Sequence, residues 1–273
     1  MGWPHGYISL MDLYGYLDTS IKIYILVVAF VFGTVMGSFF NCFATRICHE
    51  KSIVKGRSEC DACGHVLGVL DLMPIVSYVI SGGKCRYCGA KLSIKYPISE
   101  AIGGILFVLI VNRFGFSIET IEYLVLACIL MGISYADLED FLIPDRFIIA
   151  GIVNRLIFIL LGNGVLSELL RSVTSGLVMA LGVLVLVIVM EKVLGKEAMG
   201  GGDIKLLFML GMYSSLYLDL LGLFTSCVIG IVFGLLMTKG RKEMFPFGPS
   251  ICLGFLLALL YGEPLVALYL SLF

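Results

Sequence analysis

The chain has 273 residues, 59% of them hydrophobic and 14% charged, with a net charge of -1, and its mean hydropathy is +1.03. That composition excludes a soluble globular domain and places the chain among polytopic membrane proteins. The near-zero net charge leaves no electrostatic footprint for nucleic acid.

A helix needs about 20 apolar residues to cross the hydrocarbon core, and eight segments approach that length. In chain order they run from Ile21 to Ile47, Ile94 to Val111, Ile118 to Ala136, Arg146 to Leu161, Ser172 to Leu194, Ile204 to Leu216, Leu218 to Met237 and Pro249 to Leu270. The fourth and sixth are short or interrupted by polar residues. The expected fold is therefore all-α, with about eight transmembrane helices. No removable signal peptide is expected: residues 1–20 carry Asp12 and Asp18, and the first span is too long for a signal-peptide core.

Behind the first span come Arg46, Lys51, Lys55, Arg57, Lys84, Arg86, Lys91 and Lys95. By the positive-inside rule these hold the 48–93 segment in the cytoplasm and put the N-terminus outside. Carrying that orientation forward predicts cytoplasmic loops around 137–145, 195–203 and 238–248, whose edges bear Arg146, Lys192, Lys196, Lys205, Lys239, Arg241 and Lys242. The opposite side receives Lys22, Arg113 and Arg171. The chain thus divides into an extracytoplasmic segment (1–20), a first helix (21–47), a small cytoplasmic domain (48–93) and a membrane core (94–273).

The small domain contains CDACGH at 60–65 and CRYCGA at 85–90. In each knuckle a two-residue gap lets both sulfurs reach one ion, so Cys60, Cys63, Cys85 and Cys88 are expected to close a structural zinc site. A cytoplasmic location disfavours stable disulfides. Four thiolates leave no open position for a catalytic water. His49 and His65 lie nearby and could replace a ligand, but are expected as surface or neighbouring residues of the site. Cys42, Cys48, Cys128, Cys227 and Cys252 have no metal-ligand spacing and are expected to pack.

Two carboxylates stand where an apolar chain least tolerates them. Asp137 ends the run YLVLACILMGISYA, and Asp203 follows Gly200, Gly201 and Gly202 in MGGGDIK. An acid at membrane depth costs about 2.5–3.5 kcal/mol at a helix centre and usually faces a working cavity. The bland reading of MGGGD is a flexible loop ending in an N-cap aspartate; the other is that three glycines permit unusual backbone angles and close approach of a peptide. Two apposed carboxyls tend to share one proton, which suits them to activate water against a peptide bond. Asp140 and Asp145 are nearby alternatives to Asp137; Pro144 should open the next helix, with Asp145 at its start. Glu100 could line a cavity, and Glu191 with Lys192 reads as an interfacial pair.

Taken together, GSFFNC at 37–42, the two knuckles, GKCRYC at 83–88, YPISE at 96–100, DLEDFLIPD at 137–145, GGGDIK at 200–205 and FPFGP at 245–249 resemble the type IV prepilin peptidases. The resemblance implies that Asp137 and Asp203 are the catalytic aspartates of a GxGD-type membrane aspartyl protease, with Gly200, Gly202 and Lys205 supporting the loop. It implies cleavage of a short charged leader, after a glycine, from prepilins or pseudopilins at the cytoplasmic face of the inner membrane. It also implies zinc in the four-cysteine domain and, through Gly83 and Lys84, N-methylation with S-adenosylmethionine. Pilus or secretion assembly machinery would be neighbouring partners, besides the lipid bilayer. One departure is Asp61-Ala62, where the family often has proline. Two other classes remain open at this point: a proton-coupled transporter, whose acids would be spread through the depth of the bundle, and a non-enzymatic scaffold recruiting a partner through the zinc module.

Overall fold

Helices account for nearly all the regular structure in the computed structural model, which describes residues 14–15, 17–49, 57–195, 199–238 and 245–271. Most of the N-terminal segment and the basic residues Lys51, Lys55, Lys196, Lys239, Arg241 and Lys242 lie outside the described residues. The helices are α1 (Thr19–Cys48), α2 (Val76–Ile80), α3 (Lys95–Phe114), α4 (Ile118–Asp140), α5 (Asp145–Leu161), α6 (Val165–Leu194), α7 (Gly201–Gly211), α8 (Leu216–Thr238) and α9 (Gly248–Leu270). Among the described residues there is no strand, only isolated bridges in the cysteine module.

Among the described residues, six helices, α1, α3, α4, α6, α8 and α9, are long and apolar enough to cross a membrane. The two remaining expected spans are α5, at 17 residues, and α7, at 11. These are the fourth and sixth segments, the two that the sequence marks as short or interrupted. α7 rises only about 16 Å at 1.5 Å per residue. Its Leu206, Leu207, Met209 and Leu210 have no exposure at all, which makes it a core element rather than a lipid-facing one.

The chain separates into two compact units, one of residues 1–43 and 52–128, the other of 44–51 and 129–273. In the first, α1 and α3 meet at a seam of glycines. A Cβ on Gly33 would lie 2.5 Å from the Gly103 carbonyl oxygen, and one on Gly37 would lie 2.7 Å from that of Ser99. In lipid, small residues gain their packing energy by letting backbones approach. Asn41 adds a polar tie by donating to Ser99 Oγ at 3.0 Å, so GSFFNC and YPISE are two faces of one contact. Replacing Gly103 with Val should cost about 2–3 kcal/mol through overpacking, read as a lower unfolding temperature in detergent; an unchanged midpoint would refute the seam. Glu100 accepts the Ile75 amide through Oε2 at 2.6 Å. That bond fastens a β-branched residue held at φ 60°.

In the second unit, α7 is anchored at its C-terminal end by a buried polar cluster. Arg155 donates to the Met212 carbonyl at 2.8 Å and pairs with Glu168 at 2.6 Å. Asn154 donates to Tyr213 Oη at 2.9 Å, and Tyr213 donates to the Gly151 carbonyl at 2.6 Å. Asp219, fully buried in the first turn of α8, accepts from Ser175 at 2.6 Å and from Ser214. Along its length α7 abuts α6, where a Cβ on Gly176 would lie 2.7 Å from the Phe208 carbonyl oxygen. The short helix is therefore fixed in position, and its N-terminal end presents Asp203.

Candidate functional site

Asp137 lies in the last turn of α4 and is 6% exposed. Its Oδ2 accepts the Gly248 amide at 2.8 Å. That amide belongs to the first turn of α9, one of the N–H groups a helix leaves without an internal partner. Pro249 next to it has no N–H to offer, so the backbone directs one donor at the carboxylate. A Cβ on Gly248 would come within 2.8 Å of the same oxygen. Glycine is thus required by proximity, and Gly248→Ala should displace the Asp137 carboxyl while leaving the fold intact. The expected effect is about a tenfold or greater loss of kcat with little change in unfolding temperature; full activity would show that the amide contact is dispensable.

Asp203 occupies the third position of α7, and Gly200, in extended conformation, is the N-cap. The aspartate is therefore not the N-cap of the bland reading. Instead its carboxyl reaches back to the Gly200 amide. The expectation of unusual backbone angles at the three glycines is corrected as well: none of them has positive φ. Close approach accounts for them better. A Cβ on Gly202 would press on Ile143 at 3.2 Å, and one on Gly200 would meet Asp203 Oδ2 at 3.5 Å, whereas Gly201 faces open space.

The structure brings Asp137 and Asp203 together. Asp203 starts a helix too short to span, and its carboxyl is pushed up to about 6, first by burial and then by the charge of Asp137. Cys252, buried one turn into α9, lies within electrostatic reach of both acids and hydrogen-bonds Ser134. The other acids of DLEDFLIPD are drawn elsewhere. Asp140 and Glu139 interact with the end of α1, where Glu139 meets His49 at 3.9 Å. Asp145 opens α5 after Pro144, as expected, and pairs with Lys205 at 2.7 Å. Lys205 therefore pairs with Asp145.

In the first unit the two cysteine knuckles repeat one pattern. Cys60 donates its amide to His65 and receives that of Gly64; Cys85 does the same with Ala90 and Gly89. Gly64 and Gly89 turn the chain at φ 68° and 74°, angles that side-chain-bearing residues resist. The four Sγ atoms lie within 4.8 Å of one another. A tetrahedral ion with bonds of about 2.3 Å would set its sulfurs about 3.8 Å apart, close to the 3.9 Å between Cys60 and Cys88. The amides of Cys88 and Tyr87 lower the Cys85 thiol to about 7, whereas Cys88, despite the Ala90 amide, is raised to about 11 by burial and its neighbouring sulfurs. The donor set thus fits a thiophilic divalent ion. His65 is no ligand: it stacks on Tyr87 at 3.6 Å. Tyr87 donates to Asp71 at 3.0 Å, which braces the module. Gly83, at φ 69°, backs onto the Tyr78 ring, and Lys84 pairs with Lys91 in a bridge.

The model for the bacterial peptidase A24 N-terminal domain matches residues 31–114, and that for the type IV leader peptidase family matches residues 124–235. A prepilin leader peptidase/N-methyltransferase of Bacillus subtilis (strain 168) is 33% identical over 253 residues, covering 90% of this chain and 98% of the relative. A protein of the same name from Pseudomonas putida is 28% identical over 270 residues, covering 89% and 93%. Another, from Neisseria gonorrhoeae, is 33% identical over 201 residues, covering 73% and 69%. No solved structure matches.

Proposed function

The chain belongs to the type IV leader peptidase family, and we propose that it is a membrane aspartyl endopeptidase that removes the leader of type IV prepilins or pseudopilins after a glycine and N-methylates the new terminus. The observation that carries the reading is the convergence of Asp137 and Asp203, from α4 and α7, with the charge of one raising the other.

The division of labour follows from their surroundings. Each carboxyl accepts one backbone amide, Asp137 that of Gly248 and Asp203 that of Gly200, but burial and then the charge of Asp137 raise Asp203, so in this reading the shared proton resides on Asp203. Asp137 then takes a proton from water as its oxygen attacks the scissile carbonyl carbon. Asp203 gives its proton to the carbonyl oxygen, forming a neutral diol. When the diol collapses, one hydroxyl proton returns to Asp203 as the carboxyl forms, the C–N bond breaks, and the proton gained by Asp137 passes to the leaving amine. No covalent enzyme intermediate forms, and the pair returns to one shared proton.

Cys60, Cys63, Cys85 and Cys88 hold a structural zinc ion in this reading, and the 48–93 module is a cytoplasmic domain distinct from the 21–47 helix and the 94–273 membrane core. The basic residues after the first span put the module and the aspartates on the cytoplasmic side of the inner membrane, with residues 1–20 outside. S-adenosylmethionine would supply the methyl group. Gly83 and Lys84 form a tight turn, and their link to methyl transfer rests on the family alone. Incubating the purified protein with a prepilin, with and without S-adenosylmethionine, tests both activities by mass spectrometry. Loss of the leader and a further gain of one methyl group are expected; an intact prepilin would refute the reading.

A further inference from the structure

Beside Asp203 runs a cleft of about 440 Å³ bounded by α5, α6 and α7. Its walls are Ile148, Ile149 and Ile152 of α5, Ala180 of α6 and Phe208 of α7, and its polar side chains are the Asp145–Lys205 pair. The α7 wall begins at Ile204, the residue after Asp203.

We propose that this cleft seats the first turns of the substrate's apolar helix, with Asp145 leaving Lys205 to accept the helix's unpaired N-terminal amides. The proposal rests on the peptidase reading and names the part of the substrate that reading leaves unplaced. A leader removed from the front of an apolar helix places that helix's N-terminus at the scissile bond. Its first N–H groups have no internal partner, and its dipole is positive there. A carboxylate is the complementary group, and Asp145 is in place, more than half exposed and held by one exposed lysine. The volume fits as well. One helical turn, about 10 Å across and 5.4 Å long, occupies roughly what the cleft offers. The cleft is open along α5, where Ile149 is 59% exposed, so a helix can enter sideways from the bilayer.

The test uses the full chain in proteoliposomes. A photoactivatable benzophenone side chain replaces Ile152 in an Asp203→Asn background, and adducts with a prepilin are mapped by mass spectrometry. Attachment within the first turns after the scissile bond is expected; attachment to lipid alone, elsewhere on the prepilin, or to nothing overturns the proposal. In otherwise unaltered protein, Ile149→Trp narrows the cleft. KM for the prepilin should rise about tenfold, while a short peptide carrying only the leader and scissile bond is cleaved at the unsubstituted rate. Asp145→Asn should also raise the prepilin KM, and Asp145→Glu should restore it. If the unsubstituted protein cleaves no prepilin, the peptidase reading fails. If it cleaves and these substitutions leave KM unchanged, or Ile149→Trp slows both substrates equally, the docking proposal alone fails.

Discussion

Replacing either Asp137 or Asp203 with Asn should lower kcat for prepilin cleavage by at least about 10³-fold while the protein remains inserted and folded. Asparagine keeps the shape of the side chain and its acceptor oxygen, so the Gly248 amide retains a partner at position 137 and the Gly200 amide at position 203. What it removes is the ability to hold or release the shared proton. Each residue takes part in one proton cycle, so the double variant should be little worse than either single one. Thermal stability should stay level or rise slightly, because two acids crowded in a poorly solvated site repel one another when both are ionised. Near-normal cleavage by either variant would remove that residue from the chemistry. A loss accompanied by unfolding would make its role structural.

The second large effect concerns the metal. Structural zinc contributes about 10–16 kcal/mol to folding in small zinc-dependent peptides, and this module has few other resources: Val69 and Val79 are 82% and 68% exposed. Cys85→Ser should reduce bound zinc from one per chain to a small fraction and make the 57–93 region sensitive to protease. Asp137 and Asp203 belong to the other compact unit, so leader cleavage should persist while N-methylation falls. Full zinc content in Cys85→Ser, measured by elemental analysis, would exclude that sulfur as a ligand. Loss of cleavage in step with zinc would show that the aspartates depend on the module.

Much of this architecture could be read along the chain because hydropathy reports length, and length distinguishes a spanning helix from a short one. The weakest segments, around Arg146–Leu161 and Ile204–Leu216, became the 17-residue α5 and the 11-residue α7. The approach of Asp137 to Asp203 was legible because acids at apolar boundaries are costly and therefore informative. Gly248 was not, although FPFGP stood out as a motif: its contribution is a backbone amide and a missing Cβ, and neither has a periodicity. Asp219 was hidden for a different reason. It sits in the apolar run LYLDLLGL, and its partners Ser175 and Ser214 lie 44 and 5 residues away, so only the fold reveals that it is satisfied. The glycines before Asp203 suggested backbone freedom, but the chain there is ordinary, and the small side chains serve contact with Ile143 and the aspartate itself.

The shared proton is tested most directly by kcat/KM for prepilin cleavage measured from about pH 4.5 to about pH 8.5. Raising the pH through the Asp203 value of about 6 strips the proton that Asp203 must donate, so the rate should fall on that side. On the acid side the base takes up a proton, so the rate should fall there too. A bell with its alkaline limb near 6 is the predicted result; a rate that stays flat or keeps climbing through neutrality would contradict a carboxyl pair working on one proton.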